Sequence, residues 1–259
     1  MRRKRGKAKD HNHDAIPNAG RNGEDIRPNG ETEGGSRSGG EIALPATRSA
    51  GQERLEDSSF PKADIDGQVP PDIYLNFPFQ PSFEGLGIAY IAGSVCLGAT
   101  PRIVPQNVGS EWRIEKIKRL ALDCPLSLHD LSPVSGGRLN MAWELGVVMG
   151  ATESLKHEWF ILAKDRHRLQ RSLSNLNGVD PHQHGGTEHG VLSALHRIFG
   201  RAELTPKLLR SVLAKVKKAY RKFRVEGYGS FYEDRNCFNK LVQAATLSLA
   251  EELRRRRRS

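Results

Sequence analysis

The chain has 259 residues, of which 37% are hydrophobic, and a formal net charge of +10 at pH 7. This length and composition predict one globular domain with additional segments rather than two full domains. No run of about eighteen apolar residues occurs, which excludes a membrane-spanning helix. The basic start of the chain has no apolar segment behind it, so we expect that it is not a secretory signal.

The positive charge is concentrated in one segment. Residues 1–70 have 12 Lys/Arg and 12 Asp/Glu, and residues 71–200 have the same numbers. Residues 201–259 have 16 Lys/Arg and 6 Asp/Glu, so the whole net charge lies there. Residues 201–259, and not the central part of the chain, are therefore the segment that could contact nucleic acid or another anionic partner.

Cys96, Cys124 and Cys237 are scattered and odd in number. This pattern predicts free thiols in a reducing, cytoplasmic setting. Cys96 and Cys124 have apolar neighbours, so we expect them to be small buried side chains rather than nucleophiles.

Residues 1–69 are rich in Gly, Asn, Arg, Glu and Ser, with no aromatic residue before Phe60. Such a segment cannot bury enough apolar surface to offset the entropy lost on ordering, so we predict a disordered tail. The basic run at residues 1–5 is read as a solvated charge cluster, with nucleic-acid contact as the alternative.

Apolar strand patterns alternate with helical patterns between residues 70 and 200. The predicted strands are 73–77, 100–104, 126–130 and 159–163. The predicted helices are 83–97, 111–122, 141–151, 166–176 and 191–199. This alternation predicts an α/β domain with a parallel sheet and helices on both faces.

The pattern changes after Gly200. Residues 206–223 and 239–253 predict two long helices with no strand between them, followed by five arginines at 254–258. We therefore predict a basic helical appendage over 201–259. The first of these helices has an apolar stripe opposite its Lys/Arg face, and the stripe either packs on the protein itself or supports binding of an anionic partner.

Two carboxylates stand out in a strand–loop–helix segment. Asp130 ends an apolar run, a loop with Ser135 and Gly136 follows, and Glu144 comes early in an apolar helix. Open α/β folds bind ligands at this edge of the sheet, and glycosidic-bond enzymes use carboxylates against a positively charged sugar carbon. The pattern predicts an enzyme with Asp130 and Glu144 as catalytic acids. The structural alternatives are that Asp130 caps the following turn and that Glu144 is a carboxylate favoured at the start of a helix.

Other polar and aromatic residues near these positions are candidates for substrate contact. Asn76, Phe77 and Phe79 follow the first predicted strand, where the aromatic rings could stack on a base or nicotinamide or pack in the core. Ser132 and Asn140 could hydrogen-bond a ribose or hold their loop together. No GxGxxG motif follows the first strand, which disfavours a classical dinucleotide-binding Rossmann domain.

A histidine-rich run occupies residues 180–189 and includes His182, His184, Glu188 and His189. Zinc sites need three or four ligands in a defined arrangement, and Gly-rich segments with histidines are more typical of plain loops. We therefore predict neither a bound metal nor a resident cofactor.

Five segments in this order resemble the bacterial TIR-like family that borders on nucleoside 2-deoxyribosyltransferase-like proteins. They are residues 72–79 (Asp-Ile-Tyr-Leu-Asn-Phe-Pro-Phe), 113–117 (Arg-Ile-Glu-Lys-Ile), 129–132 (His-Asp-Leu-Ser), 139–146 (Leu-Asn-Met-Ala-Trp-Glu-Leu-Gly) and 168–178 (Arg-Leu-Gln-Arg-Ser-Leu-Ser-Asn-Leu-Asn-Gly). The resemblance covers about half the chain and implies a flavodoxin-like fold. By analogy it also implies cleavage of an N-glycosidic bond in NAD or a nucleoside, often in bacterial defence against phage.

By this resemblance Glu144 is the nucleophile or the stabiliser of the sugar cation, and Asp130 is the acid after the third strand. The expected activity is NAD hydrolysis, with Phe77, Phe79 and Trp143 around the substrate. One alternative is a nucleoside or nucleotide glycosidase or a deoxyribosyltransferase. Another is a non-catalytic module that senses a nucleotide or assembles with itself.

Overall fold

The computed structural model describes residues 71–104, 113–132, 139–151, 157–165, 179–200 and 203–258. All of them lie in the compact unit Leu55–Ser259. The predicted tail at 1–69, the loop at 133–138 and the predicted helix at 166–176 fall outside the described residues.

Five strands form one parallel sheet in the order β2-β1-β3-β4-β5. They are β1 (Asp72–Asn76), β2 (Thr100–Arg102), β3 (Leu126–Asp130), β4 (Glu158–Ala163) and β5 (His182–Gln183). This is the strand order of flavodoxin-like folds, and it confirms the predicted α/β class. The sequence pattern does not predict β5, because this strand has only two residues and both are polar.

In the described part of the chain, six α-helices accompany the sheet: α1 (Glu84–Cys96), α2 (Arg113–Asp123), α3 (Leu139–Ala151), α4 (Glu188–Phe199), α5 (Pro206–Val225) and α6 (Arg235–Arg258). Side-chain caps begin two of them. The Thr187 hydroxyl accepts from the Gly190 N–H, and the Thr205 hydroxyl accepts from the Leu208 N–H. Within the described helices, none is long and apolar enough to cross a bilayer.

The two faces of the sheet have separate cores because strand side chains alternate. On one face Leu75, Leu128 and Leu162 join a large hydrophobic cluster that includes α1 and α4. On the other face Tyr74 packs with Ile117 of α2 and with further residues of α2 and α3. The helices α1 and α3 therefore lie on opposite faces of the sheet.

The two helices of the predicted appendage belong to the same hydrophobic cluster as α1. Their apolar stripes are buried there, and the members from α5 are Leu208, Leu209, Val212, Leu213, Val216 and Tyr220. The Lys/Arg face of α5 is thus the solvent side of a helix whose apolar side is already packed on the protein. Residues 203–258 contribute to the main core as well as to the positive charge.

We expect Val212→Ala to lower the free energy of unfolding by about 2 kcal/mol, because two buried methyl-sized groups and their contacts are lost. Urea unfolding followed by circular dichroism measures this change. The matched control is Lys218→Ala on the exposed side of the same helix, with an expected change within about 0.5 kcal/mol. Equal, small effects of both variants would show that α5 is not part of the cooperative core.

The three cysteines are free and buried, which confirms the expectation for Cys96 and Cys124. Burial raises the pKa of both thiols to about 12. Because the thiolate is the reactive form, both are unreactive side chains at neutral pH.

Candidate active site

From β1 the chain first passes to β2 on one side of it, and then to β3 on its other side. The direction in which strands are added therefore reverses between β1 and β3. In open α/β sheets of this order, the crevice at the carboxyl ends of the strands on either side of such a point is the usual ligand position. Asn76 and Phe77 lie at the end of β1, and Asp130 and Ser132 lie at the end of β3. Helix α3 begins at this edge, since the Met141 carbonyl accepts a hydrogen bond from the Asn76 side chain at 3.2 Å.

Glu144 lies in the sheet-facing stripe of α3. The stripe consists of Met141, Glu144, Leu145 and Val148, which follow helical spacing and are all buried. The Tyr74 hydroxyl donates to Glu144 Oε2 at 2.5 Å, and Tyr74 itself is buried in β1. A carboxylate in an otherwise apolar stripe, fixed by a tyrosine, is costly to bury and so is a candidate for function.

Asp130 is buried and surrounded by hydrogen-bond donors. Its Oδ2 accepts from the Tyr90 hydroxyl at 2.7 Å and lies 3.2 Å from His184 Nε2, and its Oδ1 accepts from the Ser132 N–H at 2.9 Å. The Gly186 N–H donates to His184 Nδ1, which leaves the ring proton on Nε2, facing Asp130. Burial, together with the Asp130 charge, raises the pKa of Tyr90, which therefore remains a donor.

The two predicted catalytic acids lie on opposite faces of the sheet. Asp130 contacts Tyr90 of α1, on the α1 face, whereas Glu144 contacts Tyr74 on the α2/α3 face. The sequence pattern predicts that both acids lie near the same edge of the sheet, but it does not predict the face of the sheet on which each side chain lies. Asp130 is therefore held by Tyr90, Ser132 and His184 on the α1 face, and Glu144 is the one of the two predicted acids that lies on the α3 side.

A chain of buried polar side chains runs along β3 on the same face as Glu144. The orientation of the Asn76 amide is fixed because its Nδ2 donates to the Met141 carbonyl, so the same nitrogen donates to His129 Nδ1 at 3.0 Å. His129 Nε2 then donates to Ser127 Oγ at 2.9 Å, and the Ser127 hydroxyl donates to His157 Nε2 at 2.8 Å. Both histidines are thus neutral in this arrangement.

These histidines predict an acid-sensitive fold. Burial lowers the pKa of His129 to about 3, with a further contribution from His157, whose pKa is also lowered by burial. Below about pH 6.5 the unfolded chain binds protons at these positions and the native chain does not. The contribution of these histidines to the free energy of unfolding is therefore complete above about pH 6.5. It is lost as the pH falls towards 3, by up to about 1.4 kcal/mol per pH unit for His129 alone.

Urea unfolding at several pH values between 7 and 5 measures this slope, in a range where most carboxylates stay ionised. We expect a shallower slope for His129→Gln, which cannot titrate but keeps a donor towards Ser127. Parallel slopes for the wild type and the variant would contradict the assignment.

The structure places the remaining candidate residues in different environments. Phe77 is buried and stacked with Phe83 and Tyr90, so it is a core residue rather than a free stacking surface for a ligand. Phe79 is half-buried and stacks on Tyr232 with ring centroids 5.9 Å apart.

Three further candidates surround the β3–α3 connection. Ser132 is buried, and its hydroxyl accepts from the Lys164 N–H at 2.7 Å and lies 3.1 Å from His184 Nε2, so it joins the Asp130 cluster. Trp143 is 41% exposed on α3. Asn140 lies in the first turn of α3, and its side chain is outside the described part of the chain.

The histidine-rich run has a structural explanation. His184 points inward to Asp130, His182 contacts the ring of Phe160, and Glu188 pairs with Lys217 of α5. A Cβ on Gly190 would lie 1.8 Å from the His184 carbonyl oxygen, so only glycine fits where α4 meets this turn. Among the described residues, no group of three or more His, Cys, Asp or Glu side chains could hold a metal ion.

A comparison with models of known protein families gave no match, and a comparison with curated proteins gave no relative.

Proposed function

We propose that the chain is an N-glycosidase that cleaves the nicotinamide–ribose bond of NAD, with Glu144 as the carboxylate that faces the ribose. The observation that supports this most strongly is a buried carboxylate in the sheet-facing stripe of α3, fixed by Tyr74, beside the point where the strand connections reverse. Cleavage of an N-glycosidic bond develops positive charge on C1 of the sugar, and a preorganised carboxylate in a site of low dielectric stabilises such charge.

The separation of the two acids favours NAD over an ordinary nucleoside. A neutral base leaves as an anion unless a general acid protonates it, which requires a second acid near the leaving group. Nicotinamide in NAD is attached as a cationic ring and departs as a neutral molecule. One carboxylate on the α3 face is therefore sufficient for NAD, and Asp130 on the other face is not needed as an acid.

The reaction then proceeds in two steps. The bond between C1 of the ribose and the ring nitrogen breaks, and its electron pair moves to that nitrogen and neutralises it. Glu144 stabilises the resulting ribosyl cation until a water molecule adds to C1 and releases a proton to solvent. In this scheme Tyr74 is a positioning residue, because its hydroxyl holds the carboxylate, and Trp143 is a partly exposed aromatic residue on the same helix as Glu144 that can contact the substrate.

A substrate panel tests the proposal against its closest alternatives. Purified full-length protein is incubated separately with NAD, with purine and pyrimidine deoxyribonucleosides, and with a deoxyribonucleoside plus a free acceptor base. We expect nicotinamide release from NAD and intact nucleosides. Base release from nucleosides alone, or transfer to the acceptor base, would instead identify a nucleoside glycosidase or a deoxyribosyltransferase.

A further inference from the structure

The end of α6 lies beside the start of α5. Arg256 donates from Nη1 to the Glu203 carbonyl at 3.1 Å and from Nη2 to the Thr205 hydroxyl at 2.5 Å. One turn earlier in α6, Glu252 accepts from Ser211 of α5 at 2.9 Å. These contacts bring the five-arginine run of α6 to the same end of the helix pair as the first turns of α5.

The five arginines divide into two groups. Arg255 pairs with Glu251 at 2.8 Å, and Arg256 is bonded to the start of α5, so both are used within the protein. Arg254, Arg257 and Arg258 are exposed and follow i, i+3, i+4 spacing, which places them on one face of the helix. Within the described part of the chain, no carboxylate pairs with any of these three.

Two further cations lie at this end of the pair. Lys207 and Arg210 are exposed in the first turns of α5, and the described residues provide no carboxylate partner for either. Like charges three and four residues apart repel each other on a helix. A partner with regularly spaced negative charges removes this repulsion, whereas a single small anion could neutralise only part of it.

We propose that Arg254, Arg257 and Arg258, together with Lys207 and Arg210, form a binding surface for the phosphate backbone of a nucleic acid. We call these five residues the basic end surface. Arginine binds phosphate oxygens with a planar set of donors, and binding of this kind depends on charge spacing rather than on base sequence. The surface lies on helices that pack on α1, away from the α2/α3 face that contains Glu144, so the inference does not depend on the proposed reaction.

A membrane surface fits these observations less well. Helices that bind at a membrane interface insert an apolar face below the headgroups. The apolar stripes of α5 and α6 are already buried in the core, as Val212 and Leu249 show with 0% and 2% exposure. Among the described residues of α6, the exposed large apolar side chain is Leu247, and a single side chain does not give the basic end surface an apolar face to insert.

Fluorescence anisotropy tests the proposal with the full-length protein and labelled 20-base-pair probes of duplex DNA and duplex RNA, which show which nucleic acid is preferred. Five phosphate contacts on DNA predict a slope of log affinity against log salt of about −4.5, equal to a loss of about 500-fold from about 50 to about 200 mM salt. For the triple variant Arg254→Ala, Arg257→Ala, Arg258→Ala, we expect a slope of about −1.8 and a loss of only about ten-fold over the same range.

The matched control is the triple variant Lys116→Ala, Lys118→Ala, Arg119→Ala in α2, on the opposite face of the sheet. It removes the same charge and should keep the wild-type slope. The proposal is overturned if neither probe binds at low salt, if the two triple variants have equal slopes, or if vesicles with anionic lipid compete with the DNA through the same three arginines. Circular dichroism of both variants verifies that they fold.

Discussion

Replacing Glu144 with glutamine is expected to lower nicotinamide release from NAD by about 1,000-fold or more. Glutamine keeps the volume of the side chain, and its amide oxygen can still accept from the Tyr74 hydroxyl. The variant loses only the negative charge that faces the developing ribosyl cation. Initial rates of nicotinamide release, measured by chromatography at saturating NAD, give the comparison.

The matched control for this charge removal is Glu158→Gln, at the exposed start of β4. We expect its rate to stay within about two-fold of the wild type, because surface substitutions away from a site have small effects. Full activity of Glu144→Gln would show that the carboxylate is not part of the chemistry. Equal loss in both variants would point to a general effect of charge or folding.

Replacing Asp130 with alanine is expected to lower the free energy of unfolding by about 3–5 kcal/mol, because three buried donors lose their acceptor at a cost of about 1–3 kcal/mol each. The substitution leaves the Tyr90 hydroxyl, the Ser132 N–H and the His184 ring N–H without their shared acceptor in a buried setting. A buried donor that loses its partner retains the cost of leaving water. Urea or thermal unfolding at pH 7 measures the loss.

The control for this variant is Asp123→Ala at the exposed end of α2, for which we expect a change within about 0.5 kcal/mol. A second variant, Tyr90→Phe, removes one of the three donors together with its hydrogen bond and should have a smaller effect than Asp130→Ala. If Asp130→Ala were as stable as the wild type but inactive, Asp130 would be a catalytic group instead of a structural one.

The sheet and most helices could be predicted from the sequence because each apolar segment had the length and period of its element. Residues 126–130 were predicted as a strand and form β3 with the same bounds. Strand β5 could not be predicted, since His182 and Gln183 are polar and pair only because β4 lies beside them. Helix α4 begins at Glu188, three residues before the predicted start, and the capping Thr187 was the signal that marked it.

The candidate site was harder to predict because it depends on the face of the sheet on which each side chain lies, and the number of residues between two positions does not give that face. Asp130 and Glu144 are close in sequence, but the side chains of β3 alternate, so Asp130 shares a face with Leu128 while His129 lies towards α3. The partners Tyr74 and Tyr90 come from distant segments, 70 and 40 residues away, and only the folded chain brings them to the acids. The polar pair Ser127 and His129 within an apolar strand was the one local signal of the buried hydrogen-bonded chain.

The decisive measurement is a chromatographic time course of NAD incubated with the purified full-length protein over a wide range of protein concentrations. We predict one nicotinamide released for each NAD consumed by the wild type, and none above background for Glu144→Gln at the same concentrations. Intact NAD at every concentration, with a wild-type protein verified as folded, would contradict NAD hydrolysis as the function of this chain.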